Sequence, residues 1–150
     1  MERTLIIIKP DAVQRGLIGE IIRRFENRGL RLAGMKLMQI SRELAAQHYG
    51  EHIGKGFYEG LLDYITSAPV VVMVLEGRQA VTIARNSIGK TKPVESPAGT
   101  IRGDFGIDTG RNLIHGSDSV TSAEREVGLF FAPEELISWT RDTDRWIFED

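Results

Sequence analysis

The chain has no cysteine in its 150 residues, which removes disulfides, thiolate catalysis and every zinc site built on sulfur. A reducing compartment, the cytoplasm, is the expected location. Excess charge is also missing: 19 Lys and Arg stand against 21 Asp and Glu, a formal net charge of −2. Such a balance gives no bulk attraction to nucleic acid or to an anionic membrane surface, so neither is an expected partner. No apolar stretch approaches the ~20 residues of a membrane span, and the run Leu5-Ile6-Ile7-Ile8 before Lys9-Pro10 is too short for a signal-peptide core. Internal repeats, low-complexity segments and linkers are absent as well, so residues 1–150 are expected to form a single domain. Its 41% hydrophobic content is ample for one core.

The apolar residues that are present fall into recognisable periods. Thr4-Leu5-Ile6-Ile7-Ile8, stopped by Pro10-Asp11, predicts a central strand buried on both faces. Asp11 is expected to cap a helix carrying Leu17, Ile18, Ile21, Ile22 and Phe25 inward and Glu20, Arg23 and Arg24 outward, closed by Asn27-Arg28-Gly29. Leu30 to Ile40 reads as a second strand with a possible bulge at Gly34. Ser41 caps a short helix through Tyr49, and Phe57, Leu61, Leu62, Tyr64 and Ile65 mark another that ends at Ser67-Ala68-Pro69, completing a helical hairpin. Val70 to Leu75 is the strongest strand signal, followed by a helix to about Ala84 with Ala80, Val81 and Ile83 inward. Ser87 to Arg111 has little periodicity and is longer than the ~15 residues that structureless loops usually reach, which marks it as functional. Leu113-Ile114-His115 fits a last strand, Thr121-Ser122-Ala123-Glu124 a capping box opening a helix, and the tail from Pro133 starts helical and becomes irregular. This order predicts an α+β ferredoxin-like sandwich, an antiparallel four-stranded sheet with helices packed on it. Its crossovers bring Lys9, at the end of the first strand, close to His115 on the last.

His115 lies among Arg111-Asn112-Leu113-Ile114 and Gly116-Ser117-Asp118-Ser119, an imidazole with polar neighbours and no metal-ligand spacing. An imidazole titrates near neutrality, so its neutral form can attack an electrophile while the second nitrogen is held by a partner. A lone histidine is more often a surface or core residue, and the segment by itself leaves that reading open. Other patterns carry less. Ala84 to Thr91 ends like a phosphate-binding loop, but a helix precedes it and Lys92-Pro93 follows, whereas such a loop must leave a strand and open a helix. His48 and His52 read as a solvated helix end, and Glu134-Glu135 and Arg23-Arg24 as exposed helix faces.

Along essentially its whole length the chain resembles the nucleoside diphosphate kinases. The resemblance is carried by Glu2-Arg3-Thr4, Ile8-Lys9-Pro10-Asp11, Val13-Gln14-Arg15-Gly16, Arg24-Phe25-Glu26, His48-Tyr49, Gly99-Thr100-Ile101-Arg102-Gly103-Asp104-Phe105 and Asn112 through Ser119, all in the family's order. It implies a ping-pong exchange in which the γ-phosphate of a nucleoside triphosphate passes to His115 and then to a nucleoside diphosphate. By similarity His115 takes the phosphate on Nδ1, Glu126 accepts a hydrogen bond from the other nitrogen, and Ser117 orients that carboxylate. The family pattern places Lys9, Arg85, Thr91 and Arg102 on the phosphates, Tyr49 near the lysine, and Asn112 on the sugar. Gly116 lies beside the histidine, and Phe57 with Leu61 holds the base by stacking, which implies broad base tolerance. Mg2+ is the implied cofactor, bound mainly through the nucleotide phosphates with no directly assigned protein ligand, and Asp118 as a water-mediated neighbour.

The sequence departs from the family pattern at Thr109, where an aliphatic residue usually faces the base, and at Lys92, Pro97-Ala98 and Gly56 in the loops. The tail with Trp139 and Trp146 resembles the longer form associated with hexamers, so a homo-oligomer, hexameric rather than tetrameric, is expected. A histidine phosphocarrier would not need Phe57 and the arginines. A nucleic-acid regulator would need positive charge that this chain lacks.

Overall fold

The computed structural model describes residues 1–149. Four strands, β1 (Glu2–Ile8), β2 (Arg31–Met38), β3 (Val70–Gly77) and β4 (Ile114–Gly116), form one sheet in the order β2-β3-β1-β4 with every neighbouring pair antiparallel. This is the ferredoxin-like order. β1 is central because it has no polar face: Leu5 to Ile8 are all fully buried. Alternation along the strands sends Ile6, Ile8, Met73 and Leu75 to one face and Leu5, Ile7, Val72 and Val74 to the other.

Helices cover both faces. α1 (Pro10–Gln14), α2 (Ile18–Arg28) and α5 (Ala80–Ile88) lie on the first, with Ile21, Phe25, Ala84 and Ile88 inward. α3 (Arg42–His48), α4 (Tyr58–Ile65) and α7 (Val120–Phe130) lie on the second, contributing Ala45, Leu62, Ile65 and Phe130. Truncating Ile21, Phe25 or Ile65 to alanine costs about 2–5 kcal/mol, because the cavity left between helix and sheet cannot fully collapse.

Several boundaries differ from the sequence expectations, each for a local reason. The helix expected after Asp11 is two, α1 and α2, broken at Gly16 with φ 72°. Asp11 is not its cap; Lys9 occupies that position, and the Asp11 carboxylate instead accepts the Leu113 backbone N–H at 3.1 Å. Ser41 caps α3 as expected, accepting from the Leu44 N–H at 3.1 Å, and the register shift between Leu32 and Gly34 is the β2 bulge. α5 continues to Ile88, past the expected end near Ala84.

The stretch from Ser87 to Arg111 is not structureless. It holds turns at Pro93–Glu95 and Thr109–Arg111 and a short helix, α6 (Ile101–Phe105), whose cap Thr100 accepts from the Gly103 N–H at 3.0 Å. A Cβ at Gly103 would stand 2.0 Å from the Pro97 carbonyl oxygen, so only glycine allows this packing. α7 begins two residues before the expected capping box, with Ser119 accepting from the Ser122 N–H at 3.0 Å.

The tail makes only a 3-10 turn at Pro133–Glu135 before running along β2, where the Ile137 N–H reaches Ala33 O at 2.8 Å and the Trp139 indole N–H reaches Leu32 O at 2.7 Å. Buried Arg31 bonds Glu76 at 2.5 Å and Asp144 at 3.1 Å, anchoring the tail's far end. Trp139 thus packs on its own chain, whereas Trp146 is 78% exposed. The charge pairs read as exposed faces also have specific partners: Arg24 joins Asp104 of α6 at 2.7 Å, and Glu135 joins Lys36 at 3.1 Å.

Candidate active site

β4 places its one outward histidine beside β1, with His115 opposite Ile7 in the register. The Lys9-Pro10-Asp11 turn that ends β1 grips the segment before it. Lys9 N–H donates to Leu113 O at 2.9 Å, and Asp11 accepts from Leu113 N–H, so both polar backbone groups of Leu113 are taken. Leu113 needs this grip, because its φ of 76° is a left-handed conformation that a bulky L-residue adopts only where its surroundings impose it. The result aims Asn112 and His115 into the same space.

His115 Nε2 lies 2.5 Å from Glu126 Oε1 on α7, and the Ser117 hydroxyl donates to the same oxygen at 3.1 Å. Glu126 is 5% exposed and Ser117 fully buried, so the carboxylate is fixed by protein on both sides. A carboxylate so placed takes the Nε2–H tautomer and leaves the Nδ1 lone pair free.

Cations from three elements line the same cleft as His115. Lys9 donates to Asn112 Oδ1 at 2.9 Å; burial, then the neighbouring Arg102 guanidinium, lowers its ammonium to about 8 against the opposing pull of Asp11. Arg102 of α6 donates to Asn112 O at 3.1 Å and Ile114 O at 2.6 Å, and burial followed by the Arg85 charge lowers it to about 10. Arg85 reaches in from α5 to Gly116 O at 3.3 Å. Positive groups pressed this close raise one another's cost, only partly offset by Asp11 beside Lys9 and Asp118 beside Arg85, and a bound phosphate would lower it. Asn112 is held from its other side, donating to Thr91 O at 3.2 Å. Burial pushes the Tyr49 phenol up to about 12, and Tyr64, bonded to Asp11, is raised by burial as well, so both stay protonated.

These groups line a cleft of about 640 Å³, a volume suited to a nucleotide-sized ligand. Lys9, Tyr49, Arg102, Asn112, Gly116 and Glu126 are buried in its walls around His115, whereas Arg85, Thr91, Phe57 and Thr109 line it from exposed positions with Leu61 beside Phe57; Ser117, bonded to Glu126, does not line the cleft. Phe57 is 53% exposed, with Lys55 Nζ 5.7 Å from its ring centroid. His52 stands edge-on to that ring at 5.3 Å.

The sequence reading missed Tyr64, Ser122 and Arg125, which line the cleft together with Asp118, and it misplaced His48. His48 is no solvated helix end: it is 5% exposed and packs edge-on against His115, with ring centroids 4.7 Å apart. The signal was available in the spacing, since Ala45, His48 and Tyr49 share the inward stripe of α3. Gly89-Lys90-Thr91 follows a helix C-terminus and opens no helix, so it is no phosphate-binding loop of the strand-to-helix kind.

A histidine with one nitrogen held by a buried carboxylate, sharing a cleft with three cations and an exposed aromatic ring, defines a phosphotransferase site on a ferredoxin-like sheet. The family profile for nucleoside diphosphate kinase matches residues 2–136. A nucleoside diphosphate kinase of Carboxydothermus hydrogenoformans is 62% identical over 149 residues, covering 99% of this chain and 100% of that protein, and one of Desulforamulus reducens is 59% identical over the same shares. Among solved structures, a nucleoside diphosphate kinase of Halobacterium salinarum in complex with CDP superposes with a TM-score of 0.97 at 50% identity, covering 99% of both chains. A nucleoside diphosphate kinase family protein of Babesia bovis gives 0.96 at 51% identity, covering 99% of this chain and 100% of its own. The chain belongs to the nucleoside diphosphate kinase family and is an enzyme of that class.

Proposed function

We propose that the protein exchanges phosphate between nucleoside triphosphates and diphosphates by a ping-pong route through His115. The observation that carries this reading is the 2.5 Å contact of His115 Nε2 with buried Glu126, which leaves Nδ1 free in a cleft also lined by Lys9, Arg85 and Arg102. In the first half-reaction Nδ1 attacks the γ-phosphorus, the bond to the bridging oxygen breaks, and the nucleoside diphosphate leaves with that electron pair. The phosphorylated ring is left cationic, its Nε2–H donating to Glu126. In the second, a β-phosphate oxygen of the incoming diphosphate attacks the same phosphorus and the bond to Nδ1 breaks, restoring the neutral ring.

Phosphoryl transfer gains most from neutralising charge on oxygens that are neither attacking nor leaving. Arg102 and Arg85 offer planar forks for this, Lys9 a point charge and Thr91 a neutral donor, while Tyr49 packs beside the lysine. Asn112 positions the sugar, and Gly116 lines the cleft beside the ring, its place on the core side leaving no room for a Cβ against Ile88. Phe57 and Leu61 take one face of the base and Thr109 the other, a mode that reads no base edge and accepts any of them.

The carboxylates of the cleft fit a divalent ion that arrives with the nucleotide better than a resident one. Glu126 is committed to His115, whereas Asp118 is exposed and ionised, its carboxyl held low by Ser122 and by the charge of Arg85. A bound Mg2+ would withdraw charge from the phosphates, and Asp118 is the residue that would hold it, through water. We read residues 1–150 as one catalytic domain working in the cytoplasm as a homo-oligomer, with neither nucleic acid nor membrane as partner. Among the described residues no helix is long and apolar enough to cross a membrane. Met35 and Leu37 on β2, and Val94 and Ile107 between α5 and β4, are exposed large apolar side chains on separate surfaces, as a multi-contact assembly requires. Light scattering checks the hexamer; a mass near four chains overturns it.

The test of the activity is a coupled assay of ATP with GDP, CDP and UDP in turn. Rapid triphosphate formation from all three, lost in His115→Ala, is expected. Exchange that survives His115→Ala sinks the mechanism.

A further inference from the structure

His48 stands at the end of α3, its ring flanked by Tyr49 at 4.7 Å and Phe130 at 5.5 Å and set at 85° to the ring of His115. Its Nδ1 is sealed from solvent and bonds to nothing, yet the ring lines the cleft. A phenylalanine would fill this space without leaving a buried polar atom unpaired, so packing alone does not account for an imidazole here.

One nitrogen of His48 lies within 4.8 Å of a nitrogen of His115 and of a Glu126 carboxylate oxygen. Two His nitrogens and a carboxylate are a ligand set that a divalent metal accepts. The surroundings speak against a cation, however, because Lys9, Arg85, Arg102 and Arg125 all line the same cleft and Glu126 is already bonded to His115. What this field attracts is an anion. Burial, and then the charges of His115, Arg125, Lys9 and His52, drive the His48 imidazole down to about 2, so it stays neutral and carries a single N–H. With Nδ1 enclosed by aromatic rings, the proton belongs on Nε2, through which the ring meets the cleft. With nitrogens of the two histidines within 4.8 Å of each other, an oxygen carried on His115 comes within hydrogen-bond reach of His48.

We propose that His48 donates a hydrogen bond from Nε2–H to an oxygen of the phosphoryl group carried by His115. The assignment rests on the reading of His115 as the phosphate carrier. A neutral donor suits the position: it stabilises the phosphoryl oxygens without adding another charge to the crowd that already depresses Lys9 and Arg102. Arg125 supports it from α7, donating to Gln47 O at 3.3 Å and His48 O at 3.4 Å and so tying the end of α3 to the helix that bears Glu126.

The experiment is rapid-quench phosphorylation of the full-length protein by ATP, with His48→Phe, His48→Gln and His48→Asn beside the wild type. The glutamine amide nitrogen falls near the place of Nε2, and that of asparagine near Nδ1. We expect His48→Phe to slow phosphorylation of His115 on the order of tenfold to a hundredfold at an unchanged final stoichiometry, His48→Gln to recover most of the rate, and His48→Asn to recover little. The 31P resonance of the phosphohistidine should move in the Phe variant and return toward the wild-type position in the Gln variant. Wild-type rates in His48→Phe, equal slowing in all three variants, or better rescue by Asn than by Gln would each overturn the proposal. If His48→Phe fails to fold, the Gln–Asn comparison decides alone. A wild-type enzyme that takes no label at all removes the carrier role of His115 instead, an outcome distinct from any pattern among the His48 variants.

Discussion

The two ends of the cleft are built from different material. At the phosphate end Lys9, Arg102, Asn112, Glu126 and Ser117 are all between 0% and 8% exposed, and each is bonded to a neighbour on another part of the chain. At the base end Phe57 is 53% exposed, and it sits at the start of α4 beside a glycine-rich turn, facing the exposed turn Thr109–Arg111 across the opening. Phosphoryl transfer needs charges fixed before the substrate arrives, since dipoles that must reorganise lose much of their benefit. Holding a base of any kind needs only a flat apolar surface. Precision is concentrated where the chemistry is common to all nucleotides and is relaxed where they differ.

That contrast can be broken by mutation. The largest effect is expected for Arg102→Ala, at the centre of the fixed end: kcat/KM should fall on the order of 10²- to 10³-fold. Stability should fall too, since Asn112 O and Ile114 O lose their buried donor. A melting curve and steady-state kinetics separate the two losses. A loss below tenfold would mean that the guanidinium serves structure alone.

Glu126→Gln should cost about ten- to a hundredfold in kcat, with KM little changed, because the amide keeps the shape but no longer balances the cationic phosphorylated ring.

At the other end, Phe57→Ala should raise KM by about tenfold, and by similar factors for adenine, guanine and cytosine nucleotides, as stacking energies of ~1–3 kcal/mol imply. Effects that differ tenfold among bases would show that the mouth reads base edges after all.

A pH series sharpens the comparison further. Lys9 falls from its ordinary 10.5 to about 8 in the folded protein. As pH rises through about 8 the free enzyme loses this charge, and kcat/KM should decline while reactions with base-end variants decline in parallel. Because the folded value lies below the unfolded one, the unfolded chain binds more protons between those limits, so this group makes the nucleotide-free protein more stable as pH rises across them. Lys9→Met should flatten both profiles. The smallest effect is expected at Thr109→Val, where an added apolar surface should lower KM about twofold.

Much of the frame was legible because it depends on unambiguous patterns. Leu5 to Ile8 and Val70 to Leu75 can only be interior strands, and Ser41 three residues before Leu44 announces a cap. Burial of polar residues was harder to read. His48 looks like a helix-end residue until α7 packs over it, and Asp11 looks like a cap until the chain returns a hundred residues later with the N–H of Leu113. α6 was hidden because Gly103, a poor helix former, is required by the nearby Pro97 carbonyl, a tertiary constraint with no local trace. The capping box at Thr121 was outcompeted by Ser119, both being plausible caps only two residues apart. The residues of the cleft were named from family resemblance. Their distances, and the neutral histidine behind the nucleophile, come only from the three-dimensional arrangement.

The central claim is that a phosphate rests on His115 between two substrates. Incubating the protein with γ-labelled ATP and no acceptor tests it directly. One label per chain is expected, labile to acid, stable to base, and discharged on addition of any nucleoside diphosphate. An acid-stable phosphoester, or label that appears only when donor and acceptor are present together, would contradict it.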